Sequence, residues 1–443
     1  MRNPYVTGPY VTGRRHYGRQ DLLDNLLHGE ANAYWVIGNR RIGKTSLLRQ
    51  LEALALAGEA GERRFLPIFW DMQGCNAFDG LGRYLQDALQ ERLDEIETFG
   101  LPADYLREEN VLTLLPALRR AARSAGRELL LLCDETEVLI TLARAEPQLA
   151  QRLHAELTRG AGLRVIAVST RRIYELHDVC RDWPTSPFLA GFDMSYTLGR
   201  LDLESARALV TQAQAAEPVT VAPEVVDAIC AVTDGHPYLA QLLCARIFQP
   251  EGFLRPIEEA DLSVDPLLAG FLGNDFGLLS PAEQALVWEI HAQGRASAET
   301  LAEALHLDLL DVRANLRELE PLGYLRCERD QFLIGNQFLT RWLMAEERRL
   351  GREAGAGSRQ APAPASHPLQ EPPAAPLARP PAPTTVRDAA ALIEQLNVKR
   401  ARLVDLEVIR ARDLLNASPT VLAEIRQTEQ EIHRLLSTLG VSA

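Results

Sequence analysis

Gly38, Gly43, Lys44 and Thr45 stand in the stretch Tyr34 to Leu48, YWVIGNRRIGKTSLL, at the spacing G-x-x-x-x-G-K-[ST]. These residue types at this spacing do phosphate chemistry. Glycines carry no Cβ, so a loop built on them can curl until its backbone N–H groups face phosphate oxygens, at the positive end of the helix that follows. The nucleotide-binding set is therefore Gly38, Asn39, Arg40, Arg41, Ile42, Gly43, Lys44, Thr45 and Ser46. Lys44 is placed to reach β and γ phosphates, and the Thr45 hydroxyl to hold Mg²⁺. A second acidic motif follows the apolar run Leu129 to Cys133, namely Asp134 and Glu135. Asp134 is expected to bind Mg²⁺ directly or through water, and Glu135 to polarise the attacking water. Acidic pairs of this kind also cap helices, but downstream of a phosphate loop the metal reading is the stronger one.

The elements needed to position these residues are legible around them. Tyr34 to Ile37 is apolar and β-prone, and Thr45 to Leu56 places Leu47, Leu48, Leu51 and Leu54 at helical spacing. This strand, loop and helix context separates the motif from a chance match of four positions. Further strand signals at Phe65 to Met72, Leu129 to Cys133 and Leu163 to Ser169 alternate with helical stretches, which predicts a parallel sheet covered on both faces. The segment Phe78 to Arg127 is long enough for two or more helices. Thr170, Arg171 and Arg172 follow the last strand. An arginine there can stabilise transition-state charge, which makes Arg171 a catalytic candidate, or it can cap a helix or pair with acids; the sequence leaves both open.

From Leu203 to about Phe248 the pattern is wholly helical, with Pro223 placed for a first turn, and reads as a lid on the α/β core. Ser280, Pro281 and Glu283 form a helix-start signal. Three helices and a short hairpin between Tyr324 and Gly335 then describe a winged helix. Gly351 to Thr385 is rich in Pro, Ala and Gly and reads as a disordered spacer. Val386 to Leu415 and Thr420 to Leu439 read as a helical hairpin too small to be stable alone, so it should pair with another copy or a protein partner. The expected division is 1–200 for the nucleotide core, 201–275 for the lid, 276–350 for the winged helix, 351–385 for the linker and 386–443 for the hairpin. A tandem PYVTG at Pro4 to Gly8 and Pro9 to Gly13 is too short for a fold repeat. Its prolines and glycines favour an extended segment that crosses a surface or edges a pocket.

Composition sets the outer limits. The 443 residues allow two to four domains, 47% hydrophobic content fills real cores, and a net charge of −13 gives no general attraction to nucleic acid or anionic membrane. Apolar runs are too short to cross a bilayer, and no charged and apolar leader precedes the first domain, so the expected location is cytoplasmic. The six cysteines lack a C-x-x-C pair and read as reduced core residues, Cys180 beside His177 included.

Four stretches together resemble the STAND branch of the AAA+ ATPases, in particular its bacterial and archaeal ATPase-like members. They are Tyr17-Gly18-Arg19, GNRRIGKTSLL, LLLLCDE, and DGHPYLAQLL at Asp234 to Leu243. The resemblance runs from about Asn3 to Leu343. It implies an α/β P-loop NTPase with a helical lid and a winged helix, binding ATP or ADP with Mg²⁺. It also implies that Tyr17, Gly18 and Arg19 flank base and ribose, and that the lid motif Gly235-His236-Pro237 brings Pro237 near the adenine. Two departures stand out: His291 and His306 are the only histidines available for a winged-helix contact to ADP, neither in a matching motif, and no repeat sensor follows. The expected function is a slowly hydrolysing ATP switch that signals through assembly and the C-terminal hairpin, by analogy in conflict or defence signalling. The alternative is a DNA-binding regulator. Against it, the natural reading helix Asp308 to Glu320 sets Asp308, Asp311, Glu318 and Glu320 against Arg313 and Arg317.

Overall fold

The structure, a computed structural model, describes residues 2–8, 10–58, 64–92, 110–158, 160–180, 192 and 194–356, with side chains through 349. Helix α1 (Gln20–His28) precedes strand β1 (Ala33–Ile37), every residue of which is buried, and α2 (Lys44–Ala57) begins directly after the glycine loop. There follow β2 (Phe65–Asp71), α3 (Phe78–Gln90), α4 (Val111–Ser124), β3 (Glu128–Asp134), α5 (Val138–Ala145), α6 (Pro147–Leu157), β4 (Leu163–Ser169), α7 (Tyr174–Val179) and β5 (Met194–Thr197). The sheet order is β2-β3-β4-β1-β5, and all neighbouring strands run parallel. The near-continuous apolar runs of β1, β3 and β4 are what strands covered on both faces require. One face packs Leu47, Leu48 and Leu51 of α2 against Val36, Leu132 and Ile166, and the other packs α3 to α6 against Trp35, Leu131 and Val165. Strand β5 was not among the expected strands; its four residues, MSYT, are mostly exposed and show no apolar run.

Residues 203–276 fold as α8 (Leu203–Thr211), α9 (Pro223–Thr233), α10 (Pro237–Ile247), a short hairpin of β6 (Phe248–Gln249) and β7 (Phe253–Leu254), and α11 (Pro266–Phe276). Prolines open α9, α10 and α11, where a missing N–H costs nothing. These helices share a hydrophobic cluster that also takes in Tyr5 and Tyr17 from the start of the chain.

Next come α12 (Pro281–Gln293), α13 (Ala298–Leu305), α14 (Leu309–Leu319), β8 (Leu325–Glu328), β9 (Gln331–Ile334) and α15 (Gln337–Ala356). The Ser280–Glu283 capping box forms in both directions, and Ala296 bridges Phe332 to widen the β8–β9 pair. Leu286, Ile290, Val312, Leu316 and Leu343 fill the core of this helical module. Residues Met1–Met344 make one compact unit. Helix α15 continues past Gly351, where a spacer was expected; the rest of that spacer and the two helices expected within 386–443 lie outside the described residues. No helix among the described residues is long and apolar enough to cross a membrane.

Candidate nucleotide-phosphate site

The parallel sheet brings the ends of β1 and β3 to one edge, with the glycine loop leaving β1 and Asp134 closing β3. This is the crevice where open α/β sheets bind ligands. The loop turns into α2 at Gly43, whose φ of 103° lies where side chains are strained, and a Cβ there would meet Arg19 Nη1 at 3.2 Å. Arg19 is itself left-handed at φ 67° and donates from Nη2 to the carbonyls of Ile42 at 2.7 Å and Gly199 at 3.1 Å. It thereby pins the loop from behind. Gly18 permits this placement: its φ is 71°, and a Cβ would lie 2.5 Å from Ser205 Oγ of α8.

Lys44 is buried, and Nζ donates to the carbonyls of Gly38 and Asn39, each at 3.0 Å. Burial lowers its pKa, while Glu137, Glu135, Asp275 and Asp134 hold it up; among the described residues none of them forms an ion pair with it. A cation kept from water and aimed at a cavity without a direct counterion fits an anionic ligand. Thr45 Oγ1 donates to Asp134 Oδ2 at 2.7 Å, so the two expected metal residues meet. Asp134 is buried, and desolvation raises its pKa against the pull of Thr45 and Lys44. No cluster of three or more His, Cys, Asp or Glu forms a metal site among the described residues. Mg²⁺ takes few protein ligands and fills its shell from phosphates and water, and a hydroxyl and a carboxylate in contact suit that habit.

Glu135 has left-handed backbone, φ 52°, donates its N–H to Asp134 Oδ1 at 3.0 Å, and lines the cavity. Removal from bulk water raises its pKa, Glu137 and Asp134 add to this, and Lys44 and Arg40 oppose it. Glu137, which the sequence reading passed over, accepts the Thr170 N–H at the tip of β4.

The cavity has a volume of about 430 Å³, within the range of small-ligand sites. Arg40, Arg41, Ile42, Gly43, Lys44, Thr45 and Ser46 of the glycine loop line it, together with Tyr17, Arg19 and Pro237. Gly38 and Asn39 support it through Lys44, and Gly18 packs against α8. His236 instead lines a smaller neighbouring cavity, with Asn39, Asp275 and Tyr324. Burial, with Arg19 nearby, lowers the His236 pKa to about 4, so the ring is neutral at pH 7. His291 stacks edge-on to Trp288 and His306 ends α13; neither lines the main cavity.

Arg171 is not brought to the phosphate loop. Its guanidinium lies 2.8 Å from Glu283 Oε1 and 2.9 Å from Glu318 Oε2, the pairing with acids that sequence had left open. Two wall residues, Gln73 and Phe271, carried no sequence signal, while Tyr238 and Gln241 lie in the DGHPYLAQLL stretch without having been assigned a role. The PYVTG segment did carry a signal. Val6 N–H donates to Gln241 Oε1 of α10 at 3.0 Å, Val11 N–H to Ser46 Oγ at 3.1 Å and Gly13 N–H to Gln50 Oε1 at 2.7 Å, so this strap crosses from α10 to α2 along the cavity.

A scan of family models finds no match to the chain, and a search of curated proteins finds none either. Among solved structures, the Walker-type ATPase of Pyrococcus abyssi matches with a TM-score of 0.56 at 15% identity, over 76% of this chain and 99% of that one. The ORC2 protein of Aeropyrum pernix matches with a TM-score of 0.41 at 15% identity, over 74% and 92%, and the Holliday junction branch migration motor RuvB of Thermotoga maritima with 0.32 at 16%, over 72% and 92%. Those two are looser likenesses. With its parallel sheet in the order β2-β3-β4-β1-β5 and its glycine loop after β1, the chain has the fold of AAA+ P-loop ATPases.

Proposed function

We propose that this chain binds ATP with Mg²⁺ in the cavity beside α2 and works as a slowly hydrolysing switch of the STAND type. Lys44 would neutralise phosphate charge, and Asp134 with Thr45 would hold the metal, which when bound screens the β and γ oxygens. Glu135, raised in pKa and lining the cavity, would orient a water and take its proton. Tyr17 and Pro237 would flank the base.

The observation that carries the switch is that the phosphate loop is wired into the helical module. Asn39 Nδ2 donates to the Leu322 carbonyl at 2.9 Å, and Arg40 is held by Asp275 of α11. Loop residues that would meet a nucleotide thus already contact the parts that would have to move. Hydrogen exchange of α11 to α15 with ADP and with a non-hydrolysable ATP analogue tests this; identical protection in both states would end the switch reading. Residues 386–443, outside the described part, are proposed as the interaction module. Their deletion should leave nucleotide affinity unchanged and reduce particle mass measured by light scattering, if self-association is their role. As for duplex DNA, Arg313 of α14 is paired with Glu299 at 2.6 Å and Asp308 caps its own helix. Of the two arginines on this helix, that leaves Arg317, which stands beside Glu318.

A further inference from the structure

We infer that the Arg40–Asp275 pair discriminates a nucleoside triphosphate from a diphosphate: Asp275 occupies Arg40 until a γ phosphate competes for it. The inference rests on the nucleotide site proposed above. Asp275 takes Arg40 twice, from the backbone N–H to Oδ2 at 2.9 Å and from Nη1 to Oδ1 at 3.2 Å. Arg40 is the second residue after the loop's first glycine and lines both the large cavity and the smaller one that holds Asp275. Its side chain is 39% exposed, against 10% for Asp275, so the guanidinium can change partner while the carboxylate is fixed. Arg40 shares the wall of the large cavity with Lys44 and Glu135, where hydrolysis would occur.

Asp275 is poorly stabilised without Arg40. It sits in the last turn of α11, where the helix dipole disfavours a negative charge, and it is buried. Desolvation raises its pKa, and Arg40 is the strongest influence holding it down, followed by Lys44. A γ phosphate beside Lys44 would repel this carboxylate and attract the same guanidinium, whose planar fork fits phosphate as well as carboxylate. A diphosphate, ending one phosphate earlier, would leave the pair closed. The consequence travels by the next residue: Phe276 packs against Trp288 of α12 at 5.9 Å between ring centroids and against Trp342 of α15 at 5.2 Å. Loss of the pair would therefore free the last turn of α11, which these rings join to α12 and α15.

The experiment measures dissociation constants for MgADP and for a non-hydrolysable MgATP analogue in wild type, Asp275→Asn and Arg40→Gln, with tryptophan emission recorded in each. Asp275→Asn removes the competing charge in an isosteric side chain, so it should tighten the triphosphate by about tenfold, the scale of an ordinary coupling between sites, with ADP held within about twofold. Arg40→Gln should weaken the triphosphate by a similar factor and abolish the ATP-dependent emission change, with a smaller loss for ADP. Equal shifts for both nucleotides, or none, overturn the inference while leaving the nucleotide site intact. Failure of the wild type to bind either nucleotide defeats the site itself. Should Asp275→Asn not fold, the Arg40→Gln arm decides alone.

Discussion

Replacing Arg171 with methionine tests how the tip of β4 is tied to the helical module, and the structure sets the size of the effect. The Arg171 side chain is 12% exposed, that of Glu283 4% and that of Glu318 62%. The Glu318 arm is a surface pair worth about 0 to 1 kcal/mol. The Glu283 arm differs in kind, because methionine would fill the space yet strand a buried carboxylate, a loss of about 3 to 5 kcal/mol in a fully buried pair. Two features pull this toward the lower end. Nη1 and Oε1 approach closely without an aligned hydrogen bond, and Glu283 Oε2 keeps the Ser280 N–H at 2.8 Å. The expected cost is about 3 kcal/mol, and with an m-value of about 3 kcal/mol per M urea the unfolding midpoint should fall by about 1 M. The double variant Arg171→Met/Glu283→Gln removes both charges and retains the helix cap, since glutamine serves there too. It should recover about 2 kcal/mol of the loss. A single-variant cost below about 1 kcal/mol, or a double variant no better than the single, would refute the assignment of a buried ion pair.

Other expectations can be checked alongside. Lys44→Ala should weaken a fluorescent ATP analogue by about a hundredfold, since a charge-assisted phosphate contact disappears from a low-dielectric site, with thermal unfolding still cooperative; unchanged affinity would remove Lys44 from the site. Glu135→Gln should slow steady-state phosphate release by about a hundredfold, the scale of a lost general base, while ATP affinity holds, and equal rates would exclude Glu135 as the base. His236 and His16 both have pKa values lowered by burial to about 4, from an unfolded value of 6.5. The unfolded chain therefore binds protons first as pH drops: stability is full above pH 6.5 and falls as pH moves toward 4, by about 3.5 kcal/mol per histidine at most. Urea midpoints for His236→Gln should show a shallower acid slope than wild type; parallel slopes would mean that His236 is not buried neutral.

The sequence by itself determined the phosphate-loop motif and most of the scaffold that carries it. The motif at Gly38 to Thr45, the acidic pair at Asp134 and Glu135, and β1 with three of the four other strands of the sheet are local signals: a glycine that must curl, an apolar run buried on both faces, a helix that starts with Ser and Glu three apart. Strand β5 escaped because MSYT is mostly exposed and takes its place only by pairing with β1. Arg171 illustrates the same boundary. Its position after β4 fits either a catalytic or a pairing role, and only the approach of Glu283 and Glu318, more than a hundred residues later in the chain, selects the pairing. Asp275 had no sequence signal at all, being one acid near the end of an apolar helix, yet it binds the phosphate loop through Arg40. Which charge faces which is fixed by long-range packing, because a Coulomb interaction depends on distance and dielectric and neither is written in the order of residues.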